Sequence, residues 1–293
     1  MTQRASTPVA LISTWLQGRL PEMPARWFAD EFARLSSGAP ERSLYLALGY
    51  ATRKLGKADL ALTPAELADA AGLRSGWNPG DWSIDQAARL AFVLADGLSG
   101  AAFKTRLEQL FRTADIGELI TFYRGLPLYP DPELHVARAR EGARSGMQPI
   151  FEAVAHRNPF PKEQFDDNAW NHMVLKALFI GATLDPIDGL EARANAPLMR
   201  MLCDYAHERW AAGRPVSPEL WRCVGPFADD KALADLDRVL TTGSTVDRQA
   251  AALALTAAPH PLARELLSKH AELARAASSG ALTWTAIASR TPA

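Results

Sequence analysis

The stretch WNHMVLKALFIG, residues 170–181, predicts a helix that is buried on nearly every side. Its apolar residues recur with the period of a helix, at Trp170, Met173, Val174, Ala177 and Leu178. Three polar residues interrupt this pattern: Asn171, His172 and Lys176. A buried amide needs hydrogen-bond partners, and a buried ammonium group needs a carboxylate or a lowered pKa. Lys176 therefore either binds a phosphate or carboxylate of a ligand, or extends its ammonium group to the rim of the helix.

Helix-start signals recur along the rest of the chain. In TPAELADAAG, Thr63 is an N-cap, Pro64 takes the first helical position and Glu66 closes a capping box. The same scheme is repeated in DPELHVARAREGARSG, from Asp131, and in SPELWRCVG, from Ser217. These strings predict short, well-capped helices.

Composition supports the same fold class. Good helix formers dominate, and runs rich in Val, Ile, Thr and Tyr are nearly absent. We therefore predict an all-α protein, a multi-helix bundle of roughly a dozen helices with essentially no sheet. The string TVDRQAAALALTAAPHPLARELLSKH, with its Asp247–Arg248 pair, resembles one unit of a HEAT-like helical repeat. One unit does not make a solenoid, so the prediction is a bundle with HEAT-like helical-repeat character.

The domain organisation predicted from the sequence is one helical domain over residues 1–293. Segments rich in Pro, Gly and aromatic residues suggest internal boundaries near 77–83 and 123–133. These boundaries would separate an N-terminal helical part, a central core at 134–227 and HEAT-like helices at 228–290.

Charge and hydropathy exclude several classes of function. The 32 Lys and Arg residues nearly balance 33 Asp and Glu residues, so no global positive field is available for nucleic acid. No uncharged apolar run reaches the ~20 residues of a membrane helix, and the N-terminus lacks the features of a signal peptide. The two cysteines, Cys203 and Cys223, are interpreted as reduced core thiols. We therefore expect a cytoplasmic protein without a transmembrane segment and without nucleic acid as a partner.

The motifs point to no cofactor and no known catalytic signature. The chain has no phosphate-binding glycine loop and no nucleophile elbow. His207 and Glu208 begin a zinc-protease motif, but Ala211 stands where the second histidine is required. Asp204 lies one helical turn before His207, and a weaker alternative adds His172 to make a metal site. Local ion pairing on a polar helix face explains the same residues, so no metal is predicted.

The segment that follows, GRPVSPELW, predicts a corner between two helices. Gly213 ends the first helix, Ser217 caps the next and Pro218 lies in its first turn. The corner fixes two aromatic residues and two cations, namely Trp210, Trp221, Arg209 and Arg214. It is where the sequence places a binding surface.

From about residue 138 to residue 227 the chain resembles the EboA family. The strings that carry the resemblance are EGARSGMQPIFEAVAHRNPFP, WNHMVLKALFIG and RANAPLMRMLCDYAHERWAAGRPVSPELWRCVGPF. The resemblance transfers no reaction and no catalytic residue. It marks as candidates for binding a substrate or partner Arg144, Asn158, Asn171, Lys176, Asp204, His207, Glu208, Arg209, Arg214 and Trp221.

The resemblance also implies a biological setting. Proteins of this kind act beside a prenyltransferase-like membrane protein and barrel-fold proteins similar to metal-dependent hydrolases and isomerases. The set is associated with making or exporting secondary-metabolite precursors, such as the monomer of a cyanobacterial sunscreen pigment.

Two functions follow as hypotheses. The first is a helical adaptor or binding protein that acts in the synthesis or export of such a precursor. The second is an enzyme acting on a small phosphorylated or prenylated metabolite. The enzyme hypothesis requires Lys176, Asn171 and the segment from His207 to Arg214 to converge on one pocket.

Overall fold

The computed structural model describes residues 7–290 and confirms the all-α class. This part of the chain contains 17 α-helices and no strand, apart from one isolated antiparallel bridge between Asp59 and Ser83. Every helix within it is too short or too polar to cross a bilayer. The chain divides into two compact units, which meet in sequence between Gln164 and Phe165. The single domain with boundaries near 77–83 and 123–133 stays a prediction.

The first unit contains ten α-helices among its described residues. They are α1 Pro8–Gln17, α2 Glu22–Ser36, α3 Glu41–Leu55, α4 Pro64–Leu73, α5 Ile84–Val93, α6 Gly100–Thr113, α7 Ile116–Arg124, α8 Val136–Gly142, α9 Gln148–Ala155 and α10 Phe160–Gln164. Short 3-10 helices at Leu126–Leu128 and Pro132–His135 join α7 to α8.

Helix α5 forms the centre of the first unit, packed against α1, α2, α3 and α7. Its two charged residues, Asp85 and Arg89, are buried and pair at 3.0 Å. The hydroxyl of Thr52 donates to Asp85 at 2.6 Å, and Arg89 donates to the carbonyl of Leu48 at 3.2 Å. These bonds from α3 satisfy the pair, as buried charges require.

The predicted capping scheme holds in one place and fails in two. Thr63 and Glu66 form the capping box predicted for α4. Asp131 does not cap a helix, because its backbone is left-handed (φ +52°) and its carboxylate accepts from the amide of Gly100 at 2.6 Å. Ser217 makes no side-chain cap bond either, and the chain after it forms only a 3-10 helix.

The second unit contains the other seven α-helices. They are α11 Asp167–Ile180, α12 Ala196–Ala211, α13 Asp230–Thr242, α14 Thr245–Ala257, α15 Pro261–Ser268, α16 Ala271–Ser278 and α17 Trp284–Ala288. Two 3-10 helices, Pro218–Arg222 and Gly225–Phe227, lie between α12 and α13. The stripe predicted for α11 is buried at all five positions: Trp170, Met173, Val174, Ala177 and Leu178.

Helix α14 is the centre of the second unit and packs against α13, α15, α16, α17 and both 3-10 helices. A run of buried alanines makes close approach possible, and Gly225 lies against the backbone of Ala254. A repeat unit in a solenoid contacts only its neighbours, whereas α14 is surrounded. Asp247 also bonds to Ser244 in a capping box. HEAT-like character is therefore not confirmed.

Candidate functional site

A cavity of about 700 Å³ lies within the second unit. Its walls come from the C-terminal ends of α11, α12 and α13, the start of α14 and the chain between Pro215 and Trp221. Arg290, just after α17, contributes the last side chain. A volume of this size is typical of small-molecule sites.

The predicted helix corner forms one edge of this cavity. Gly213 takes a positive φ of +64° after the end of α12, and its amide donates to the carbonyl of Trp210 at 3.0 Å. The amide of Arg214 donates to the carbonyl of Arg209 at 2.8 Å, which completes a Schellman motif. The Arg209 side chain then donates from Nε to the carbonyl of Pro215 at 2.9 Å. These bonds fold the chain back towards α12.

Aromatic rings and guanidinium groups are layered at the cavity. The rings of Trp210 and Trp221 stack with centroids 5.9 Å apart and planes inclined by 26°. The guanidinium of Arg238 lies 4.2 Å from the centroid of Trp210, and that of Arg209 lies 6.0 Å from Tyr205. All five residues line the cavity, so its wall contains both aromatic rings and cations.

The arginines of the cavity have no carboxylate partner among the described residues, unlike two other arginines of the same unit. Arg193 pairs with Asp167 at 2.8 Å, and Arg222 pairs with Asp185 at the same distance. Among the described residues, no ion pair neutralises the three that line the cavity: Arg209, Arg238 and Arg290. Their charge is therefore available to an anion, for which guanidinium groups are well suited.

A buried carboxyl group also lines the cavity. Glu219 is 1% exposed, and its Oε1 accepts from the backbone amides of Leu184 at 3.1 Å and Asp185 at 2.9 Å. Burial raises the pKa of Glu219, although the two amides and the nearby cation of Arg222 act in the opposite direction. Its other oxygen, Oε2, receives no hydrogen bond from the part of the chain that the structure describes.

Of the ten residues predicted from the sequence, Arg209 and Trp221 line the cavity. His207 lies on α12 outside it, where Nε2 is 2.8 Å and 2.9 Å from the two carboxylate oxygens of Asp235 on α13. Three further candidates are exposed and do not line the cavity: Asp204, Glu208 and Arg214.

The polar residues of α11 also lie elsewhere. Asn171 is buried and exchanges hydrogen bonds of 3.0 and 2.9 Å with Asn195, the N-cap of α12. Lys176 is half-buried, with Nζ 5.3 Å from the ring centroid of Phe179, a side chain that is itself 70% exposed. The ammonium group therefore reaches the surface, and Lys176 does not line the cavity.

The remaining two candidates belong to the first unit. Arg144 is exposed just after α8. Asn158 is buried, donates to the carbonyls of Tyr123 at 3.2 Å and Ala153 at 3.1 Å, and accepts from the amide of Phe160. Asn158 thus satisfies the backbone where the chain leaves α9.

The metal alternative finds no cluster of ligands. Within residues 7–290, no three His, Cys, Asp or Glu side chains lie close enough together to hold a metal ion. In particular, Asp204, His172 and His207 are not brought together.

Sequence reasoning missed most of the charged groups at the cavity. Glu219 carried a weak signal, as a charge among the apolar residues of a short segment. The aromatic residue Tyr205, also missed, carried another, since it lies one helical turn before the predicted residue Arg209. Arg238 and Arg290 carried none, because each is an exposed residue whose local sequence is ordinary.

Comparison with known proteins identifies a family for this chain. The model of a family described as "Metabolite traffic protein EboA" matches residues 9–225, well over half of the chain. The matched region includes the corner, the Trp210–Trp221 stack and Glu219, whereas Arg238 and Arg290 lie beyond it. No curated protein and no solved structure is significantly similar to the chain.

Proposed function

This chain belongs to the EboA family, and we propose that it is a metabolite-binding protein whose ligand occupies the cavity of the second unit. The ligand is a small anion with an aromatic or other apolar part. A binding function fits a family named for metabolite traffic, since traffic requires that a molecule be held and released.

One observation carries this proposal. Three arginines without carboxylate partners surround a cavity that contains the Trp210–Trp221 stack. Arginine binds carboxylate and phosphate groups through paired N–H donors, and stacked indoles bind flat apolar groups. The two features together select a molecule that has both kinds of group.

Traffic also requires that the metabolite be passed on. We propose as recipients the proteins that the family resemblance implies, a prenyltransferase-like membrane protein and barrel-fold proteins similar to hydrolases and isomerases. The adaptor hypothesis is tested by co-purification of the chain with each of them. A chain that forms no complex with any of them, with or without ligand, is not an adaptor.

The enzyme hypothesis for a phosphorylated or prenylated metabolite stays a prediction. Its proposed convergence is not found, since Asn171, Lys176 and His207 do not line the cavity. An enzyme would convert a bound ligand on incubation, whereas a binding protein would return it unchanged. NMR spectra of the recovered ligand distinguish these two outcomes.

The binding proposal is tested by titration calorimetry with a pair of probes matched in shape. Hydrocinnamate carries a phenyl ring and a carboxylate, and hydrocinnamyl alcohol replaces the carboxylate by a neutral group. We expect only the acid to bind measurably, and Arg238→Ala to weaken it by about tenfold or more. Arg200→Ala is the matched control, because Arg200 is an exposed arginine on α12 that does not line the cavity.

Two outcomes would contradict the proposal. One is equal binding of the acid and the alcohol, which would remove the role of the arginines. The other is an equal loss of affinity in Arg200→Ala and Arg238→Ala, which would indicate general surface charge instead of a site.

A further inference from the structure

The carboxyl group of Glu219 is the feature of the cavity that an anionic ligand does not explain. An anion would be repelled by a carboxylate, and yet Glu219 lies in the wall of the same cavity as the three arginines. A ligand that is complementary to the whole site must therefore also present a hydrogen-bond donor to Glu219.

The geometry of Glu219 leaves one oxygen for that purpose. Both backbone amides donate to Oε1, and this fixes the side chain against the chain that follows α11. Oε2 has no hydrogen-bond partner among the described residues, although only 1% of the residue is exposed. Polar atoms in a protein interior normally have hydrogen-bond partners, and a carboxylate oxygen of a cavity wall without a protein partner is available to a donor on a ligand.

Neighbouring charges do not supply the missing partner. Arg222, on the same 3-10 helix, is engaged with Asp185 and Glu191. From the facing elements, the guanidinium of Arg238 is layered on Trp210, and Nε of Arg209 donates to Pro215. The other acid of the cavity, Asp247, is occupied by its capping box with Ser244, and Arg290 donates to the carbonyl of Ala286 at 2.9 Å.

We propose that the cavity binds a zwitterionic metabolite, whose ammonium group donates to Glu219 while its acidic group binds the arginines. This inference rests on the proposed function, because it assigns a second polar group to the same ligand. The chemical class is that of an amino acid or amine-bearing acid with an aromatic or apolar side chain, for which the Trp210–Trp221 stack is the receptor.

The test compares two probes on the unaltered protein by titration calorimetry. L-Phenylalanine and hydrocinnamate share a ring and a carboxylate and differ by the ammonium group. We expect L-phenylalanine to bind more tightly by about tenfold to a hundredfold, the range of one charge-assisted hydrogen bond. In Glu219→Gln this preference should shrink to within a few-fold, while the affinity for hydrocinnamate is retained or improved.

The two proposals fail in different ways. Equal affinity of the unaltered protein for both probes would overturn the zwitterion inference and leave the anion site standing. Binding of neither probe would overturn both. The comparison does not depend on the variant folding, since the decisive preference is measured on the unaltered chain, and the thermal unfolding of Glu219→Gln shows whether its result applies to a folded protein.

Discussion

The side-chain amides of Asn171 and Asn195 exchange two hydrogen bonds, of 3.0 and 2.9 Å, and so join the second turn of α11 to the N-cap of α12. Asn195 also accepts from the amide of Leu198 at 2.8 Å, as an N-cap does. Because α12 ends in the corner that borders the cavity, this amide pair positions the helix that carries Tyr205, Arg209 and Trp210.

Asn171→Ala should lower the free energy of unfolding by about 1–3 kcal/mol, since it removes two hydrogen bonds to Asn195 and empties a buried position on α11. Lys176→Ala, on the same helix but with its ammonium at the surface, should change it by no more than about 0.5 kcal/mol. Chemical denaturation of the two variants measures both values. Equal effects would show that the amide pair contributes nothing specific.

Gly225→Ala should destabilise the protein by about 1–3 kcal/mol, because a Cβ at this position would overlap the backbone of Ala254 in α14. Gly49 offers a matched control, since a Cβ there meets no atom within 4 Å. Gly49→Ala should instead stabilise α3 by about 0.5–1 kcal/mol. Thermal unfolding measures both effects. A melting temperature of Gly225→Ala equal to that of the unaltered chain would contradict this account.

The thiols of Cys203 and Cys223 should resist modification in the folded protein. Both are buried, and burial raises the pKa of each to about 12. At about pH 8 the reactive thiolate is therefore scarce, on the order of one molecule in ten thousand. A coloured disulfide reagent should label neither thiol until denaturant is added, and then both. Rapid labelling of the native chain would show that one of them is accessible.

Replacing Glu219 should change how stability depends on pH. The pKa of Glu219 is raised above its ordinary value of 4.5 by burial, so its favourable contribution is complete below that value and is lost as pH rises through the folded-state pKa. The side chain introduced in Glu219→Gln cannot ionise, so the variant does not lose this stabilising contribution as pH rises. The melting temperature of the variant minus that of the unaltered chain should therefore become more positive as pH rises above 4.5.

The exposed residue Glu208 provides the control for that measurement. If Glu208→Gln and Glu219→Gln gave the same pH trend, the effect would belong to net charge. A trend of the opposite sign in Glu219→Gln would mean that the ionised carboxylate is stabilised in the fold, and would contradict the assigned direction of its pKa.

The sequence predicted the local features of this protein well because each depends on neighbours a few residues apart. The buried stripe of α11, the capping box of α4 and the stop at Gly213 are all set by spacing over one or two helix turns. The corner before Trp221 was recognised in the same way. The capping prediction failed at two residues. The carboxylate of Asp131 accepts from the amide of Gly100, far away in sequence, and the helix after Ser217 is only a 3-10 helix.

The residues that line the cavity together were decided by tertiary structure alone. Glu219, Arg238 and Arg290 are brought to one cavity by the packing of α13, α14 and α17 with the 3-10 helices. Conversely, His207 and Lys176 look suggestive in sequence but end on the outside of their helices. The sequence by itself determined the all-α class, several of the helix caps and the EboA family. Which face of each helix meets which neighbour depends on long-range packing, for which a local pattern carries no information.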